Sequence, residues 1–159
     1  MAAIFCVKDW IAMKLGIGND HAAYNMKLQV KEYLESLGHE VVDYGCHSTD
    51  SVHYPEFGEK VGRAVASGEV DGGVLICGTG VGISMSANKV HGVRAAVCSE
   101  PVTARLTKEH NNANIIAFGE RIVGIEMAKA ICKAWLDAEF QGGRHETRVQ
   151  MMMDIENRA

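Results

Sequence analysis

From Met13 onward, short apolar runs alternate with segments of helical spacing, and that alternation restricts the fold more than any other feature of the chain. Leu15-Gly16-Ile17-Gly18 predicts a strand that runs into the polar turn Asn19-Asp20-His21. Tyr24, Leu28, Val30, Tyr33, Leu34 and Leu37 give residues 22–37 helical spacing, and Gly38 is placed to end that helix. Glu40 to Tyr44 predicts a second strand. Beyond the loop GCHSTDSVH, Pro55 suits the first turn of a helix reaching Ser67. Gly73 to Cys77 is apolar throughout, as a strand is when both faces of its sheet are covered. Strands are further predicted over Val93–Cys98 and Ile115–Phe118. Helices are predicted over 83–90, from Ser99 as cap into Pro101, over Val123–Trp135, and over Glu146–Glu156 after Gly142-Gly143.

Strands alternating with helices imply an α/β protein whose parallel sheet is wound with right-handed crossovers. The expected architecture is a single-domain, three-layer Rossmann-like fold with a five-stranded parallel sheet, and 159 residues suffice for one such domain. Ligands in these folds sit beyond the carboxyl ends of the strands. Asp20 and His21 follow the first strand, and Cys77 to Gly82 follow the third.

Charge and cysteine usage narrow the function classes. A net charge of −4 offers no general basic field for a nucleic-acid backbone. No apolar run is long enough to span a bilayer, and Lys8 and Asp9 interrupt the opening stretch where a secretory signal would be apolar. The 5 cysteines, at 6, 46, 77, 98 and 132, form no C-x-x-C pair, which suits free thiols in a reducing cytoplasm. The expectation is a cytoplasmic protein without nucleic-acid or membrane partners.

The segment Cys77-Gly78-Thr79-Gly80-Val81-Gly82 admits more than one chemistry. A dinucleotide site needs G-x-G-x-x-G on the first strand-to-helix turn, but here the third glycine comes one residue early and on the third strand. In favour of a nucleotide-binding module, Glu100 lies about 20 residues on, where a ribose-binding acid belongs. A phosphate-binding P-loop is excluded, because no Gly-Lys-Ser/Thr follows. The alternative is an anion cradle, in which glycine amides approach an oxyanion and favour the thiolate of Cys77. A buried, inert Cys77 is equally compatible with position alone. Cys46, His47 and His53 share one loop, but their spacing fits no standard zinc framework and no metal is expected.

LICGTGVGISMSANK, followed by GVRAAVCSEP, EHNNANIIAFGER and GGRHETRV, closely resembles the ribose-5-phosphate isomerase B family, which includes galactose-6-phosphate and allose-6-phosphate isomerases. The likeness runs from Met13 to Glu156. Residues 1–12 fall outside it and are expected to form a poorly ordered extension of a domain spanning 13–159. The resemblance implies an aldose–ketose isomerase that interconverts ribose 5-phosphate and ribulose 5-phosphate through an enediolate. By resemblance, Cys77 is the base that moves a proton between C1 and C2. Thr79 lies beside the enediolate with the amides of Gly78, Gly80, Val81 and Gly82. His110, next to Asn111, opens the furanose ring. Asp20 faces the sugar ring and His21 the phosphate, which Arg144, Arg148 and Arg121 grip. Each role is chemically sound: histidine titrates near neutrality and guanidinium forks suit phosphate oxygens. Such proton transfer needs no cofactor when base and anion donors are preorganised.

The resemblance also implies a homodimer or tetramer with active sites between subunits. His53 stands where the ribose 5-phosphate enzymes commonly carry aspartate, so galactose 6-phosphate, allose 6-phosphate or a tetrose phosphate are alternative substrates. The C-terminal residues Val149, Met151, Met152 and Ile155 are expected to pack against the core or against a partner.

Overall fold

The computed structural model describes residues 11–158. Five strands form one sheet: β1 (Lys14–Asn19), β2 (Glu40–Asp43), β3 (Gly72–Cys77), β4 (Ala95–Val97) and β5 (Ile115–Gly119). They lie in the order β2-β1-β3-β5-β4, every neighbouring pair parallel. Among the described residues there are six α-helices: α1 (Tyr24–Ser36), α2 (Tyr54–Ala66), α3 (Val81–Ala87), α4 (Pro101–Asn111), α5 (Ile125–Asp137) and α6 (Arg144–Asp154), with short 3-10 turns at His21–Ala23 and Ile155–Asn157. The expected three-layer α/β fold is present. The extension expected at 1–12 falls mostly on residues 1–10, outside the described residues.

Side chains alternate across the sheet and divide the core in two. On one face Ile17, Val74, Ile76, Ile116 and Phe118 pack against Met26, Val30 and Leu34 of α1 and against Ile131 and Trp135 of α5. On the other, Leu75, Cys77, Ile115 and Ala117 pack against Phe57 and Val61 of α2 and Ile83 and Ala87 of α3. The burial of β3 at every position explains why its sequence carries no polar residue.

Several element ends differ from expectation, each for a local reason. Strand β4 is shorter at its start because Asn114 Oδ1 takes the Arg94 amide and Val93 N turns back to Val90 O. Helix α4 is capped by Glu100, not Ser99: its carboxylate accepts the amides of Val102 and Thr103. Helix α3 starts at Val81, immediately after Gly80 takes a left-handed conformation. Helix α6 starts at Arg144 because Gly142 (φ 64°) and Gly143 (φ 57°) complete the preceding turn.

Candidate active site

Strand β3 delivers Cys77 to the carboxyl edge of the sheet, where its Sγ accepts the Gly80 amide at 3.1 Å. The residue is 4% exposed. The loop after it lies against the end of β5 at distances only glycine allows. A Cβ on Gly80, whose φ is 81°, would come within 2.7 Å of the Phe118 carbonyl carbon. One on Gly119 would come within 2.4 Å of Thr79 Cα. The segment after β5 then follows the glycine loop, with Glu120 N donating to Cys77 O and Arg121 N to Gly78 O, both at 3.0 Å. The Arg121 guanidinium lies over Gly78. Thr79 Oγ1 accepts the Val81 amide at 3.3 Å and stays exposed.

Strand β1 brings Asp20 and His21 to the same edge. Asp20 N donates to Ile76 O, one residue before Cys77, and Asp20 Oδ1 accepts the Ala22 amide at 3.0 Å. His21 Nδ1 accepts the Val52 amide at 3.2 Å. A neutral His21 therefore carries its proton on Nε2 and presents a donor. The loop between β2 and α2 that supplies Val52 is itself pinned. Lys27 is fully buried, and its Nζ donates to Asp43 Oδ2 at 2.7 Å and to Cys46 O at 2.9 Å. Cys46 turns inward to Asn19, while His47 and His53 are exposed.

The remaining expected site residues lie at the other end of the molecule. Helix α4 runs back from the carboxyl edge, so His110 and Asn111, in its last turn, end beside the amino ends of β4 and β5. The helix spans ~16 Å, and that length separates His110 from the carboxyl edge. Arg144 and Arg148, both exposed, stay with His110, because the His110 and His145 rings stack with centroids 4.3 Å apart and planes 7° from parallel. Burial pushes His145 below the usual histidine value, with further lowering from His110, Arg144 and Arg148. The expected site is thus two clusters. Cys77 to Gly82, Asp20, His21 and Arg121 form one; His110, Asn111, Arg144 and Arg148 form the other.

Three neighbours of these clusters were not anticipated. The Tyr54 ring covers Gly82, where an added Cβ would lie 2.6 Å from it. Burial raises the Glu120 carboxyl above the usual range; the Met26 amide opposes the shift and the Asp20 charge adds to it. His145 is the third. No periodicity marks any of them, because all three are placed by contacts between distant segments. Glu100, the candidate ribose-binding acid, is occupied as the α4 cap.

Known proteins resemble this chain over nearly all of the described residues. The family model described as Ribose/Galactose Isomerase matches residues 15–152. The chain is 50% identical over 145 residues to ribose-5-phosphate isomerase B of Escherichia coli K12, covering 91% of this chain and 97% of that protein. It is 46% identical over 147 residues to galactose-6-phosphate isomerase subunit LacB of Clostridium acetobutylicum, covering 91% and 85%. The solved ribose-5-phosphate isomerase B of Clostridium thermocellum superposes with a TM-score of 0.90 at 56% identity, over 91% of this chain and 98% of that one.

Proposed function

The chain belongs to the ribose/galactose isomerase family, and we infer that it interconverts ribose 5-phosphate and ribulose 5-phosphate. The observation that carries this reading is Cys77 at the sheet edge with the Gly80 amide on its sulfur and Thr79, Asp20, His21 and Arg121 around it. His110 opens the ring by taking the O1 proton and returning a proton to the ring oxygen as the C1–O4 bond breaks. The Cys77 thiolate removes the C2 proton, and the loop amides stabilise the resulting enediolate oxygen. Cys77 returns the proton to C1 while the O2 hydrogen moves to O1, with Thr79 alongside. His21 Nε2 and the arginines hold the phosphate, whose binding orients the reacting carbons.

For one active site to contain both clusters, His110, Asn111, Arg144 and Arg148 come from a second copy of the chain, so the protein acts as a homodimer or a higher assembly. Two surfaces support this reading. Val81 and Met85 are exposed beside the glycine loop, and Met151, Met152 and Ile155 are exposed on and after α6 rather than packed in the core. A groove of about 470 Å³ lies between β4, α4 and the C-terminal segment, lined by Ala95, Ala96, Met152, Met153 and Ile155. The proposed compartment is the cytoplasm. Its support is that the described cysteines, 46, 77, 98 and 132, are all free and that no helix among the described residues can cross a membrane.

A panel of ribose, allose, galactose and tetrose phosphates tests the reading, with ribose 5-phosphate expected to turn over fastest. His53, at the amino end of α2 beside the Tyr54 that covers Gly82, favours a second reading in which a six-carbon sugar phosphate is preferred. Cys77→Ala should reduce turnover by about 10³-fold or more while sugar-phosphate binding persists. Near-normal turnover in that variant would remove Cys77 as the base.

A further inference from the structure

We propose that His145 is a positioning residue for ring opening: its imidazole is the flat platform that fixes the plane of the His110 ring. This deepens the reading of His110 given above and rests on it. A group that takes a proton from one sugar oxygen and returns one to another must hold both ring nitrogens in fixed directions. Histidine's outer torsion is broad, and among the described residues no hydrogen bond reaches either His110 nitrogen. Stacking through the ring face restrains the plane and leaves both edge nitrogens open to substrate. The observed stack has that form, at 4.3 Å and 7°.

The platform is built from two directions. His145 is 8% exposed, its amide donates to Gly142 O at 3.0 Å, and the left-handed Gly142 and Gly143 set where α6 begins. One residue before His110, Glu109 O accepts the Gln141 amide at 3.0 Å and ties the approach to α6 onto α4. The cations that act on His145 are Arg144 and Arg148 of α6; on α4, Lys108 lies over the Trp135 ring and Glu109 Oε2 is engaged by Arg105 and Gln141. Two imidazolium rings face to face would repel one another, and burial with these cations keeps His145 the neutral member. His110 itself lies in the last turn of α4, with both ring edges free of the stack.

The test uses full-length protein with His145→Ala, His145→Leu and His145→Phe, each checked by thermal melting. Two rates are compared: turnover of ribose 5-phosphate, and deuterium wash-in from D₂O at C1 of ribulose 5-phosphate. Its phosphorylated 5-hydroxyl bars furanose closure, so this exchange reports Cys77 chemistry without ring opening. His145→Ala, or His145→Leu if the alanine variant is unfolded, should lower turnover at least ~10-fold and wash-in less than ~2-fold, whereas His145→Phe should stay within about 3-fold on both. The upfield ring-current shift of the His110 protons should vanish in the first two variants and persist in the third. Equal losses in both rates, or a phenylalanine variant as poor as alanine, would overturn the proposal. An inactive wild-type protein would instead sink the isomerase reading on which it stands.

Discussion

Gly80 and Gly119 are the residues on which the shape of the glycine loop depends, because each faces backbone that cannot move aside. Gly119→Ala should lower stability by about 1–3 kcal/mol, with a loss of turnover disproportionate to the fall in melting temperature. A variant of unchanged melting temperature and activity would show that the loop does not need this approach to β5. At the same scale, the described thiols differ in chemistry. Burial pushes Cys98 up to about 11, against the Thr107 hydrogen bond, and Cys132 up to about 12, so neither forms appreciable thiolate near neutral pH. Iodoacetamide at pH 7.5, followed by mass spectrometry, should modify Cys77 well before either. Labelling of Cys98 or Cys132 at the Cys77 rate in the folded protein would contradict this.

At the scale of elements, two polar contacts hold the edge of the sheet in place. Lys27 joins α1 to the end of β2 and to the loop that supports His21. Its removal strands Asp43 and the Cys46 carbonyl, and Lys27→Ala should cost about 3–5 kcal/mol in urea unfolding. A loss below ~1 kcal/mol would place the pair among weak surface bridges. The entry to β2 depends on His39, whose Nδ1 accepts the Met13 amide at 3.1 Å while Glu40 N donates to Met13 O. Burial holds His39 below the usual histidine value. Protonation then favours the unfolded chain, so this stability is present above the ordinary histidine value of about 6.5 and is lost as pH falls through the lowered folded value. Urea midpoints should fall between pH 7 and pH 5 in the wild type and fall less in His39→Gln.

For the whole molecule, the separation of the two clusters predicts that activity depends on assembly of two copies of the chain. Cys77→Ala and His110→Ala are each expected to be nearly inactive alone. After unfolding and refolding together in equal amounts, half of the dimers are mixed and each has one intact site, so activity should recover to about a quarter of wild type. No recovery would show that the clusters do not meet across subunits. His145 and Arg144 travel with His110 in this scheme, since the ring stack fixes α6 to α4 within one chain.

Much of the fold was legible from hydrophobic pattern: β3 is apolar at each position since both of its faces are covered, while α1 was placed by Val30 and Leu34, although Leu28 proves exposed and Lys27 buried. Capping was less legible, and Glu100 displaced Ser99 at α4 because its longer carboxylate reaches two amides. The expected site residues are named by short motifs, whose chemistry a sequence does carry. Their grouping is not so carried. That Cys77 and His110 lie at opposite ends of the sheet follows from the direction in which α4 returns, and that His145 lies on His110 follows from a turn made by two left-handed glycines. A sequence by itself determines which segments hide from water and which side chains can move protons. Only the tertiary structure decides which of them meet, because contacts across long stretches of chain leave no local period to read.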